Sequence, residues 1–184
     1  KNMSKLLFTV GISGSGKSTF CEKFVKENPE TIYLSSDFVR GVLGKSEDDQ
    51  SVSAETFRFL ETAVHYFLKQ GKSVLVDATF THKRSRENIT KTARLLDKEI
   101  VCYCFDVLLN VCMERNKGRK RMVPQHVINR QYQNLTFPGV DEVDFVYYVN
   151  GIGEVESYSE KILGPTKKTT KTQYENLHNQ KNKT

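Results

Sequence analysis

The chain has 184 residues, with 28 Lys and Arg against 22 Asp and Glu and 38% hydrophobic residues; that suffices for one cored domain, with or without a tail, and argues against a disordered polyelectrolyte. No apolar stretch approaches the roughly 20 residues that cross a bilayer, and no secretory signal precedes the first apolar run, so the expected setting is cytoplasmic, without a membrane. Of the net charge of +6, residues 165–184 supply +4 (five Lys against Glu175), so the other 164 residues carry only +2 and any polyanion partner must be argued from local clusters.

Residues 6–10 predict a strand and residues 18–25 a helix with Phe20, Cys21, Phe24 and Val25 on one face. Residues 31–34 predict a short strand after the breaker Asn28-Pro29, and a short helix follows Ser36. Residues 44–51 have no apolar periodicity and read as an exposed loop. Phe57, Leu60, Val64, Phe67 and Leu68 recur at helical spacing until Gln70-Gly71. Residues 73–77 form a buried strand ending in Asp77. Ile89, Ala93 and Leu96 mark a helix, residues 99–105 a strand, residues 108–116 a helix and Pro124 the start of another. Residues 145–149 are expected to be the last strand. The alternation implies an α/β fold: a parallel sheet of four to five strands flanked by helices, with ligands beyond the carboxyl ends of the strands. The four cysteines lack metal-ligand spacing and read as buried reduced thiols, Cys102 and Cys104 sharing one strand face.

Between the first strand and helix lies Gly11-Ile12-Ser13-Gly14-Ser15-Gly16-Lys17-Ser18, a complete G-x-x-x-x-G-K-[ST] phosphate loop. Its glycines let successive amides point at a phosphate, where the helix N-terminus adds positive partial charge. Lys17 would bridge the outer phosphates and Ser18 would ligate Mg²⁺. A nucleoside triphosphate and Mg²⁺ are therefore the expected ligands.

Four further groups are candidates. Asp37 follows the second strand at the same rim, placed either to take a proton from an acceptor hydroxyl or to cap a helix. Arg40, three residues on, would grip an acceptor phosphate or merely pair with Asp37. Asp77 is either a Mg²⁺-associated acid or a strand-end cap. Arg115, Arg119 and Arg121 form a basic lid over the triphosphate or a solvated loop. The basic residues of Thr81-His82-Lys83-Arg84-Ser85-Arg86 oppose a helix dipole, which suits either an anionic ligand or a solvated face. His65 and His126 have no partners in the pattern and receive no catalytic role. The nearest approach to the guanine-specific N-K-x-D is Asn116-Lys117-Gly118-Arg119, which lacks the Asp.

From residue 6 to about residue 150 the chain resembles the 5′-OH polynucleotide kinases of bacteriophage and bacterial RNA repair. Four blocks carry this: Gly11 to Thr19, Ser35-Ser36-Asp37-Phe38-Val39-Arg40-Gly41, Val76-Asp77-Ala78-Thr79, and Glu114-Arg115-Asn116-Lys117-Gly118-Arg119. The segment Asp48-Asp49-Gln50-Ser51-Val52-Ser53 is also similar to the bacterial members. The resemblance implies a phosphate-loop NTPase fold with a basic lid, occupying residues 1–163, and a polar tail or linker over 164–184. It implies ATP held by Gly11, Ser13, Gly14, Ser15, Gly16, Lys17, Ser18, Thr19, Arg115 and Arg119. Asp37 would be the general base on the 5′-OH, and Arg40 would hold the phosphate 3′ of the first nucleoside. The acceptor would be RNA or DNA. No D-x-D-x-T phosphatase signature is present, so 3′-end processing or ligation would fall to a further domain or partner. The alternatives are a kinase of a small hydroxylated metabolite or nucleoside, and a non-catalytic nucleotide-binding module.

Overall fold

Six residues of almost unbroken apolar character, Lys5–Val10, form the central strand β1 of the computed structural model, which describes residues 3–47 and 49–160. Such a run suits a strand buried on both faces, as parallel sheets require. The other strands are β2 (Ile32–Ser35), β3 (Val74–Asp77), β4 (Glu99–Phe105), β5 (Phe145–Val149) and β6 (Val155–Glu160). They lie in the order β2-β3-β1-β4-β5-β6. Strands β1 to β5 are mutually parallel, and β6 returns antiparallel to β5.

The sixth strand departs from the sequence expectation of four to five. Val155–Glu160 carries no apolar run to announce it. It is set up by the turn before it, where Asn150 Oδ1 accepts from the amides of Ile152 (3.0 Å) and Glu154 (2.9 Å). That Asx-type turn reverses the chain into an antiparallel edge. The expected boundary at residue 163 and the polar segment 164–184 lie outside the described residues, as does Asp48 of the segment likened to the repair kinases.

The helices follow the expected order: α1 (Lys17–Glu27), α2 (Ser36–Leu43), α3 (Ser53–Lys69), α4 (Lys83–Leu95), α5 (Leu109–Lys117) and α6 (Gln125–Asn134). The aperiodic loop after α2 ends in a short 3₁₀ turn, Gln50–Val52. Helix α1 lays Phe20 and Phe24 on Tyr103 of β4, with ring centroids 4.8 and 5.9 Å apart. On the opposite face Phe80 meets Phe8 edge-on at 5.7 Å and Phe57 at 5.8 Å. All four cysteines are buried thiols outside any disulfide, and the Sγ atoms of Cys102 and Cys104 lie 3.7 Å apart on one strand face, as alternation predicts.

The basic start of α4 is neither an anion site nor a solvated face at Arg86, whose side chain is 1% exposed. Its guanidinium donates to both carboxylate oxygens of Glu142 (2.9 and 3.2 Å) and to the carbonyls of Phe80 (2.8 Å) and Thr136 (3.1 Å). Phe80 sits at φ 42°, a left-handed conformation unfavourable for a bulky residue, and Arg86 holds its carbonyl. His82 caps the helix by accepting from the Ser85 amide on Nδ1 at 3.2 Å. Among the described residues no helix is long and apolar enough to cross a membrane.

Candidate active site

The carboxyl ends of β1, β2 and β3 align because their register aligns: Phe8 pairs with Val76, and Ser35 pairs with Asp77. Thr9 ties the two central ends together, its hydroxyl donating to the Ala78 carbonyl at 2.9 Å and accepting from the Ala78 amide at 3.2 Å. The phosphate loop springs from this rim. The Gly11 amide donates to Thr79 O at 3.0 Å, and the Ser13 amide to Gln131 Oε1 at 2.8 Å.

Two glycines of the loop are compelled. Gly14 and Gly16 have φ of 83° and 95°, where only glycine is at ease. A Cβ on Gly14 would also stand 2.5 Å from the Cys112 carbonyl of α5. The resulting concavity of amides opens onto the first turn of α1, a form suited to phosphate. Ser15 lies in the loop with a buried hydroxyl that has no partner among the described residues. Lys17 is buried, and its ammonium donates to Ile12 O at 2.9 Å. Burial pushes its pKa down, opposed by the carboxylates of Asp77 and then Asp37. A desolvated cation in a cradle of amides fits an anionic ligand, which would restore what burial removes.

Ser18 and Asp77, distant in sequence, meet at the loop's edge. The Ser18 hydroxyl donates to Asp77 Oδ2 at 2.7 Å, and the Tyr33 phenol donates to the same oxygen at 2.8 Å. Burial, reinforced by the Asp77 charge, pushes the Tyr33 pKa up, so the phenol stays a donor well into alkaline solution. A hydroxyl and a carboxylate oxygen in contact form a hard-oxygen pair of the kind that suits Mg²⁺. Tyr33 escaped the sequence reading; the register that pairs Ser35 with Asp77 is what brings β2 beside this acid.

Asp37 and Arg40 sit on α2, whose N-cap Ser35 accepts from the Phe38 amide at 3.3 Å. Arg40 is buried and donates from Nη1 to Asp37 Oδ1 (2.8 Å) and to the Glu47 carbonyl (3.2 Å). Arg121 reaches over from the loop after α5 to Asp37 Oδ2 at 3.4 Å, and also pairs with the Glu47 carboxylate. The helix cap is therefore Ser35, and Asp37, in the first turn, instead takes the pair with Arg40 and the lid contact with Arg121. Arg40 is no surface pair, because its side chain is 11% exposed. The loop after α5 is pinched shut by Asn116, which donates to Val123 O at 2.7 Å and accepts from the Val123 amide at 2.9 Å.

Together these elements enclose a cleft of about 590 Å³ lined by Ser18, Tyr33, Asp37, Phe38, Glu47 and the basic residues Arg119 to Arg121, among others. Arg119 is exposed at its mouth, and Thr19 is exposed on the first turn of α1. Arg115 stands apart, on α5, donating to the carbonyls of Gly14 (3.5 Å) and Gly151. The structure therefore brings Lys17, Ser18, Asp77, Asp37, Arg40 and the lid to one rim. The sequence pattern missed Tyr33, Glu47, Gln131 and Asn116; Glu47 lies in a loop whose composition carries no signal.

The AAA domain family AAA_33 matches residues 6–138. The L-seryl-tRNA(Sec) kinase of Methanococcus maripaludis is 27% identical over 143 residues, covering 73% of this chain and 53% of that protein. A chain in the structure of the Pnkp1/Rnl/Hen1 RNA repair complex superposes with TM-score 0.64 at 25% identity, over 73% of this chain and 45% of that one. A gluconokinase from Sinorhizobium meliloti 1021 shares the fold at TM-score 0.58 and 15% identity, over 84% of this chain and 86% of its own. The chain spans about half the length of the first two relatives. It belongs to the AAA_33 family of AAA domains, and its phosphate-loop fold implies nucleotide binding, with Mg²⁺ typical.

Proposed function

We propose that this kinase transfers the γ-phosphoryl group of ATP to the 5′-OH end of an RNA or DNA strand. The observation that carries the reading is that Asp37, paired with buried Arg40, lines the cleft that begins at Ser18 of the phosphate loop. In it the loop amides and Lys17 hold the β- and γ-phosphates, and Arg119 and Arg115 close over them. Ser18 and Asp77 would hold Mg²⁺, whose charge would offset that of the transferring group. Asp37 orients the 5′-OH and takes its proton as the new O–P bond forms and the bond from the γ-phosphorus to the β–γ bridging oxygen breaks, releasing ADP. Arg40 holds the phosphate that follows the first nucleoside. The likeness to a chain of an RNA repair complex supports this acceptor. A further domain or partner would supply 3′-end processing or ligation.

The likeness to a seryl-tRNA kinase favours a second acceptor, a seryl hydroxyl carried on tRNA. Incubation of the chain with γ-labelled ATP, Mg²⁺ and either a 5′-OH oligonucleotide or seryl-tRNA separates the two. Label on the oligonucleotide is expected; label on seryl-tRNA alone would replace the proposal with the second reading. Arg40 gives a finer test. A 3′-phosphorylated mononucleoside should be a good acceptor and the bare nucleoside a poor one, by roughly ten- to a hundredfold for a charge-assisted contact. In Arg40→Ala that preference should vanish while the KM for ATP holds. Equal use of both acceptors by the unsubstituted chain would remove Arg40 from the acceptor site.

A further inference from the structure

The cleft carries one residue that phosphoryl transfer does not call for. Phe38 lies between the candidate base Asp37 and Val39, and its side chain lines the cleft although the residue is 67% exposed. Helix α2 turns Val39 and Arg40 inward and leaves Phe38 and Val42, one turn apart, on its open side at 67% and 68% exposure. Single exposed apolar residues are common on proteins and require no explanation by themselves. Phe59 on α3, 50% exposed and not part of the cleft lining, is such a case. Phe38 differs in what surrounds it. The same cleft presents Arg119, Lys120 and Arg121, with buried Arg40 beside Asp37.

An aromatic face set among cations is the combination that binds single-stranded nucleic acid: the cations track phosphates, and a base stacks on the ring without regard to its identity. We infer that Phe38 is the stacking platform for a nucleobase at the 5′ end of the acceptor strand, and so helps to determine that this kinase takes a nucleic-acid acceptor. The inference rests on the reading of the function above and names the substrate feature that the cleft selects. A sugar or sulfate acceptor has no aromatic face to stack on the ring. The position of Phe38 next to Asp37 gives a nucleobase and its own 5′-OH adjacent partners, and the platform is indifferent to a 2′-hydroxyl.

The test compares two single-stranded 5′-OH oligonucleotides that differ only in the first residue, one carrying a base and one abasic. The unsubstituted chain should favour the base-bearing strand by about ten- to a hundredfold in kcat/KM, the range that base–aromatic stacking supplies. Phe38→Ala should erase that preference, Phe38→Trp should keep it, and Phe59→Ala should change nothing. Binding of a strand with 2-aminopurine at its first position, followed by fluorescence quenching without ATP, should be weakened by Phe38→Ala to the same extent. Retention of the preference in Phe38→Ala, or a loss expressed in the KM for ATP, would overturn the stacking role while leaving polynucleotide transfer standing. Failure of the unsubstituted chain to phosphorylate either strand would overturn the functional reading itself.

Discussion

The phosphate loop and the lid stand on opposite sides of one cleft and are built in different ways. The loop is short-range: eight consecutive residues, Gly11 to Ser18, running from the end of β1 into the first turn of α1, with backbone conformation set by Gly14 and Gly16 and a buried lysine. The lid side is assembled from separated pieces. Asp37 and Arg121 are 84 residues apart, Glu47 comes from a loop without regular structure, and the pairs among them are partly exposed. Exposed ion pairs are individually weak and screened by salt, whereas a glycine-dependent backbone turn is not. One side is thus a fixed cradle, and the other is held by contacts that a substrate's own charges can replace.

The largest expected effect falls on the cradle. Lys17→Ala should lower transfer by about a thousandfold or more, because phosphoryl transfer depends on positioning and charge stabilisation. Near-normal turnover by a folded variant would break the assignment. Asp37→Asn comes next, with a loss of about 10²–10⁴ in kcat, the usual contribution of a general base, and unchanged ATP affinity. Loss of ATP binding together with turnover would instead show that Asp37 organises the site.

The pH profile separates the two sides again. Because burial lowers the Lys17 pKa below its ordinary 10.5, raising the pH strips this charge before that of surface lysines. The alkaline limb of kcat/KM for ATP should fall below the ordinary lysine range. Bound phosphate favours the ammonium, so the limb of kcat should lie at higher pH. Coincident limbs in the two profiles would contradict this.

Two arginine–carboxylate pairs sharpen the comparison in stability. Arg86 and Glu142 are 1% and 10% exposed in their side chains, and Arg121 and Glu47 are 30% and 52% exposed. Glu142→Gln leaves a buried guanidinium uncompensated and should destabilise the fold by about 3–5 kcal/mol. Glu47→Gln should change stability by less than about 1 kcal/mol. Denaturant titrations of the two variants measure the contrast. Similar losses would mean that the lid is as much a part of the folded core as β4 is.

The same contrast explains what could be read before folding. The phosphate loop, Asp77 at a strand end and the Asp37–Arg40 spacing are local patterns, and the alternation of apolar runs specifies a parallel sheet. Strand β6 and the buried role of Arg86 are non-local. One depends on an Asn150 turn and an exposed edge, and the other on a carboxylate 56 residues away. Charge at a helix start looks the same in sequence whether solvent or Glu142 receives it. Glu47 was invisible for the same reason, since only the closed loop brings it to Arg121.

Tyr33→Phe carries the smallest expected effect on transfer and probes the join between the two regions. Its phenol and the Ser18 hydroxyl both donate to Asp77 Oδ2, at 2.8 and 2.7 Å. The phenyl ring of the variant fills the same space, so packing is retained and only one hydrogen bond is lost. Asp77 would then be oriented by Ser18 alone, and Ser18 would release it on turning toward Mg²⁺. A lost hydrogen bond of this kind amounts to about 0.5–1.5 kcal/mol, which corresponds to a rise of roughly two- to tenfold in the Mg²⁺ concentration for half-maximal transfer. The KM for the acceptor should hold, because Tyr33 acts through Asp77 and not on Arg40. An unchanged Mg²⁺ requirement together with a raised acceptor KM would move Tyr33 from the metal side of the cleft to the acceptor side.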